Sequence, residues 1–179
     1  MKMKNEEKIL VGYATRYGST RDVAEIIGDQ LSGLGYDFKV SGLMEKIDLS
    51  DIDAVFLGSP LHLGKWLPEA REFVQSRKNE LNRIPVITFT TGITIAEPSE
   101  HNLLKAKFAI DDISQYIIPF DSGFFAGRIS RDLLNESDLQ LIKMAKILDG
   151  DYIDPEKIKE WVTETCNNLK EEIDKQKRL

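Results

Sequence analysis

Thr15-Arg16-Tyr17-Gly18-Ser19-Thr20 places three aliphatic hydroxyls, a tyrosine, an arginine and a glycine between an apolar run, Ile9–Ala14, and a long amphipathic stretch. Hydroxyl donors in a short loop at the start of a helix suit one ligand chemistry above others, that of a phosphate. Gly18 lets the chain turn and lets backbone N–H groups approach an anion closely. Thr15, Ser19 and Thr20 add O–H donors. A helix opening at Thr20 or Arg21 adds unpaired N–H groups and the positive end of its dipole. The loop lacks the Gly-Lys-Ser/Thr ending of a nucleoside-triphosphate loop. It has one glycine where a dinucleotide fingerprint needs three. The plainer alternative is a tight turn with a hydroxyl cap.

Two later loops follow apolar runs in the same way. One is Gly58-Ser59-Pro60-Leu61-His62-Leu63-Gly64-Lys65-Trp66, and the other is Thr90-Thr91-Gly92-Ile93-Thr94-Ile95. In doubly wound sheets, ligands sit outside the carboxyl ends of the strands. Loops at that rim could hold a phosphate at one end and a flat ring at the other.

The elements that must position these loops are legible as alternating patterns. Short, largely apolar runs at Ile9–Ala14, Tyr36–Val40, Ala54–Leu57, Val86–Phe89 and Tyr116–Ala126 suit strands buried on both faces. Val23, Ala24, Ile27, Leu31 and Leu34 fall on one helical face, with Gly35 as the stop. Pro68 fits a first helical position, and Asp154-Pro155-Glu156 starts a terminal helix with Ile158, Trp161, Val162 and Leu169 inward. Strand–helix alternation of this kind predicts right-handed βαβ units, a parallel five-stranded sheet and a three-layer αβα sandwich over residues 1–179 as one domain. Glu97–Ser114 reads as a polar, then helical connection. Asp132–Leu148 reads as an amphipathic helix, either packed on the sheet or presenting a surface to a partner or an apolar substrate.

The chain has 179 residues, 41% hydrophobic and 30% charged, with a net charge of −6. That composition excludes a disordered chain, and the charge argues against non-specific nucleic-acid binding. No apolar run is long enough to span a bilayer, so no integral membrane segment is expected. A single cysteine, Cys166, suits a reducing compartment, and with no secretory segment in view the expected location is cytoplasmic. Cys166 and two separated histidines meet no metal-site spacing. His62 reads as a proton donor in the ring loop or as a hydrogen-bonded loop residue, and His101 as a surface residue. Trp161, Phe124 and Phe125 read as core. Arg128 and Arg131 read as cleft residues for an acidic substrate or as a solvated basic patch.

With Thr-x-x-Gly-x-Thr after the first strand, Gly-Ser-Pro after the third and Thr-Gly after the fourth, the chain resembles the flavodoxin-like flavoproteins. Within them, Ser59-x-x-x-x-Gly64-Lys65, Ala126-Gly127-Arg128 and Leu141-Ile142-Lys143-Met144 are similar to the subgroup that includes the menaquinone-dependent protoporphyrinogen oxidases. The resemblance implies strand order 2-1-3-4-5 and FMN as cofactor. Thr15, Arg16, Tyr17, Gly18, Ser19 and Thr20 would hold its phosphate. Ser59, Pro60, Leu61, His62, Gly64, Lys65, Trp66, Thr91, Gly92 and Ile93 would flank its ring, with His62 and Lys65 as catalytic candidates and Trp66 or His62 as one wall. Carrier flavodoxins place an aromatic residue after the fourth strand, and Thr91–Ile95 holds none. This departure implies two-electron flavin chemistry with a quinone or protein acceptor. The alternative is a small carrier shuttling electrons between redox proteins, and a homodimer is open in either case. The oxidases carry a basic, aromatic-rich segment where this chain has Ser130-Arg131-Asp132-Leu133-Leu134-Asn135-Glu136.

Overall fold

The computed structural model describes residues 6–96 and 99–179. Five strands build the central sheet: β1 (Lys8–Tyr13), β2 (Asp37–Gly42), β3 (Ala54–His62), β5 (Val86–Thr91) and β6 (Asp121–Phe125), and β4 (Lys65–Trp66) is a short strand between β3 and β5. All five pair in parallel, in the order β2-β1-β3-β5-β6. This is the expected topology. Additional to it are β4, antiparallel to β3, and a separate ribbon of β7 (Arg128–Ile129) with β8 (Gly150–Asp151).

Alternation along each strand splits the core into two layers. Leu10, Val55 and Leu57 face α2 (Pro68–Ser76), α3 (Lys78–Leu81) and α4 (Glu100–Ser114), where they meet Phe73, Val74, Leu81, Ile110 and Ile113. Ile9, Val11, Ala54 and Phe56 face α1 (Ser19–Gly33) and α6 (Pro155–Gln176), where they meet Val23, Ile27, Leu31, Val162 and Leu169. Trp161 stands edge-on to Phe56 and Phe125, with ring centroids 5.7 and 5.1 Å apart, which confirms it as a packing residue.

Three boundaries differ from the expected ones. β3 runs on to His62, so Gly58–His62 is extended strand beside β5 as far as the Pro60–Thr91 pair. β1 flanks β3 only to Gly58 and β4 joins it only from Leu61, so at Pro60 β3 has β5 as its one neighbour, where a proline is tolerated. The chain reverses at Leu63 and Gly64, both at positive φ, into β4. The apolar run from Tyr116 is strand only over Asp121–Phe125: Tyr116 and Ile117 still donate to the Ile113 carbonyl, and Pro119 stops any ladder before that. The stretch Asp132–Leu148 is a short 3-10 turn, then α5 (Glu136–Met144), because Asn135 caps the helix by accepting from the Asp138 N–H. For the Glu97–Ser114 connection, Glu97 and Pro98 lie outside the described residues, and Ser99 caps α4.

The middle of β3 requires a glycine. A Cβ on Gly58 would stand 2.1 Å from the Phe89 ring of β5. Gly58→Ala is therefore expected to destabilise the protein by about 1–3 kcal/mol through overpacking, read as a lower midpoint in urea unfolding. An unchanged midpoint would contradict this packing.

Candidate functional site

β1 delivers the chain to its carboxyl end at Tyr13, and α1 must open within a few residues. Gly18, at φ 93°, makes the turn, and its N–H is held by the Thr15 hydroxyl at 2.9 Å. No side chain caps α1. The first-turn N–H groups at Ser19, Thr20 and Arg21 therefore point out of the helix end without an intrahelical acceptor. The Thr20 hydroxyl is fully buried and bonds the Thr91 hydroxyl at 2.7 Å, joining this loop to the end of β5. Gly127 closes the far side, where a Cβ would lie 3.1 Å from Ser19 Oγ.

From that helix end a cleft of about 520 Å³ runs across the carboxyl rim of the sheet. This falls within the range of roughly 300–1,000 Å³ typical of small-molecule sites. Pro60, Leu61, His62 and Leu63 line one side, and Thr91, Gly92 and Ile93 line another. Leu134, Leu141, Ile142 and Ala145, from α5 and its flanks, cover it. The walls are mainly aliphatic, with Tyr17 and His62 as the ring-bearing side chains.

One carboxylate ties these walls together. Asp138 Oδ2 accepts from Arg16 Nε at 2.7 Å and from the Tyr17 hydroxyl, and Oδ1 lies 3.2 Å from His62 Nε2. Burial pushes the Asp138 carboxyl up. Hydrogen bonds from Tyr17, Arg16 and His62, with the Arg16 charge, outweigh it, and the group titrates below its ordinary value. The Arg16 guanidinium also lies over the Tyr17 ring at 5.5 Å. Arg128 lines the cleft but is paired with Asp22 at 2.8 Å and Asp151 at 3.0 Å. Arg131 pairs with Asp149.

The structure divides the residues read as ring-flanking. Pro60, Leu61, His62, Thr91, Gly92 and Ile93 reach the cleft together. Trp66 does not form a wall: it is 1% exposed in the core on the α4 side of the sheet, and its indole N–H donates to the Thr90 hydroxyl at 2.9 Å. Ser59 is buried and turned to structural use, donating to the Pro60 carbonyl and accepting from the Leu67 N–H. Gly64 makes the β3–β4 turn, and Lys65 points to Asp112 of α4 at 3.3 Å, with Arg71 on the same carboxylate. Lys65 is thus a bracing residue between β4 and α4. His101 is exposed, as expected, and Phe125 is core. Cys166 is buried, and burial pushes its thiol up to about 12, which keeps it protonated near neutral pH. Asp138 was missed because a lone acid in an amphipathic helix has no distinguishing spacing. The one available signal was its place three residues after the capping Asn135.

The depressed Asp138 sets an acid limb to stability. A carboxyl whose pKa is lower in the folded chain contributes stability above its unfolded value, lost as pH falls through the folded one. The stability gap between the wild type and Asp138→Asn is expected to be constant above ~pH 5 and to narrow below the ordinary value of 3.8. Urea unfolding of both proteins across acidic pH checks this; a gap that stays flat at low pH would contradict it.

Among the described residues, no cluster of histidine, cysteine and carboxylates could hold a metal, and no helix is long and apolar enough to cross a membrane. Comparison with known proteins gives a consistent family. Protoporphyrinogen IX dehydrogenase [quinone] of Escherichia coli K12 is 24% identical over 156 residues, covering 84% of each chain. Flavodoxin 1 of Bacillus cereus superposes with a TM-score of 0.58 at 13% identity, over 91% of this chain and 99% of its own. A Fusobacterium nucleatum flavodoxin bound to flavin mononucleotide does so at 0.56 and 14%, over 91% and 99%. The flavodoxin domain model matches residues 10–156, and the chain belongs to the flavodoxin domain family.

Proposed function

We propose that this protein is an FMN-dependent oxidoreductase that carries out two-electron chemistry between an organic donor and a quinone or protein acceptor. The observation that carries the reading is one continuous cleft, with an uncapped helix N-terminus at one end and mainly aliphatic walls at the other.

The residues fit the cofactor. The N–H groups opening α1, the Ser19 hydroxyl and the Arg16 guanidinium form a donor set for the phosphate, with Thr15 and Gly18 shaping the turn. Pro60–His62 and Thr91–Ile93 offer backbone and aliphatic surface to the ring from two sides. FMN, when bound there, supplies the redox chemistry. The chain's own residues bind and orient it, exclude water through Leu134, Ile142 and Ala145, and hold a proton on His62 at the cleft wall. The relative from Escherichia coli is named for a quinone acceptor, which supports a quinone here. The cleft rim from Ser130 to Glu136 is poor in cations and aromatics, so the donor is left unassigned between a porphyrinogen and another small organic reductant.

FMN titration of the purified protein is expected to give a yellow one-to-one complex at micromolar concentration. Anaerobic titration should then reduce it in a single two-electron step, and a soluble quinone should reoxidise it. Failure to bind FMN at micromolar concentration overturns the proposal. Two separated one-electron steps would instead support the small-carrier alternative, and direct reduction by protoporphyrinogen would assign the donor.

A further inference from the structure

The helix covering the cleft is attached by charge more than by apolar burial. Asp138 is the buried residue of α5, whereas Leu141 is 45% exposed and Met144 81%. The donors that meet Asp138 come from two different loops. Arg16 and Tyr17 belong to the turn between β1 and α1, and His62 ends β3 on the other side of the cleft. The capping residue joins the same cluster: the Asn135 N–H donates to the Tyr17 hydroxyl at 3.3 Å, while Asn135 accepts from the Asp138 N–H at 2.8 Å.

An ionised carboxylate has acceptor positions only, so each of the three side chains must donate to it. His62 therefore carries a proton on Nε2, and Nδ1 is left as the basic nitrogen. A carboxylate behind a histidine fixes ring orientation and tautomer in this way. The neutral amide of an asparagine at 138 cannot replace this. One of its two atoms is itself a donor and would face either His62 or the Arg16–Tyr17 pair.

We propose that Asp138 is the positioning residue of this cleft: from α5 it fixes Arg16 beside the anion-binding turn and His62, in its Nε2–H form, at the opposite wall. The roles of the two ends rest on the FMN reading, but the three-way link does not. One carboxylate thereby holds the loop 15–18, the end of β3 and α5 in register.

The test uses the full-length protein without FMN, so that its outcome is separate from FMN binding by the wild type. Backbone hydrogen exchange and the ¹H–¹⁵N resonance of the His62 Nε2–H are compared in the wild type, Asp138→Asn and Asn135→Ala. Asp138→Asn is expected to lose the His62 resonance and to exchange about tenfold faster in all three segments, residues 15–18, 60–63 and 136–144. Asn135→Ala, which removes only the helix cap, is expected to speed exchange within 136–144 and to keep the His62 resonance. If Asp138→Asn does not fold, His62→Ala reads the same link from the other side, with faster exchange in 136–144 and unchanged exchange in 15–18. The proposal is overturned if the His62 resonance persists in Asp138→Asn, if exchange rises in α5 alone, or if His62→Ala leaves α5 unchanged.

Discussion

Everything at the carboxyl rim depends on the reversal of strand order at β1. β2 lies on one side of β1 and β3 on the other, and both crossovers must be right-handed. The chain therefore leaves β1 for α1 on one face of the sheet and leaves β3 for α2 on the opposite face. Two loops that would otherwise lie side by side diverge, and a crevice opens between them. The Thr20–Thr91 hydroxyl pair spans the base of that crevice and fixes the α1 terminus against the end of β5. The Gly58–Phe89 approach sets how closely β3 and β5 converge beneath it. The helix end is thus held in place before any ligand arrives, which lowers the ordering cost of binding.

The elements that proved legible are those where one residue type has one physical use. Ile9–Val11 and Val86–Ile87 are apolar without interruption because strands in the middle of a parallel sheet face helices on both sides. Asp154-Pro155 opens α6 because the carboxylate accepts from the Lys157 N–H and proline needs no donor there. The turn at Thr15–Thr20 was legible for the same reason: Gly18 at positive φ marks where the chain leaves β1 and opens α1.

The residues expected beside a ring reach the cleft only in part, because strand and loop share a vocabulary near Pro60. Gly-Ser-Pro reads as a turn, yet the pairing of β3 with β5 continues through it to Thr91. With the turn displaced to Leu63–Gly64, β4 folds back and carries Trp66 under the sheet rim instead of over the cleft. Ser59 then faces inward, where a hydroxyl without partners would be costly, and it takes the Leu67 N–H and the Pro60 carbonyl. A shift of a few residues in one turn thus exchanged a wall residue for a core residue.

The amphipathic stretch after β6 posed a different problem. Its apolar positions predict a face to bury but not what buries it. In the fold that face is divided: Leu134, Ile142 and Ala145 line the cleft, while Met144 and Leu148 stand mostly in solvent. A helix with so little apolar burial gains little from the hydrophobic effect. A nearly buried carboxylate without partners would also be costly. Both conditions are met only if Asp138 finds donors, and the sheet rim supplies them from Arg16, Tyr17 and His62. The apolar side chains of Leu134 and Ile142 face the cleft. On the FMN reading, the flat ring completes this face as a core residue would. By linkage, a ligand that binds the folded chain alone stabilises the closed arrangement in proportion to its occupancy. On that reading, α5 is packed as one wall of a cofactor site requires.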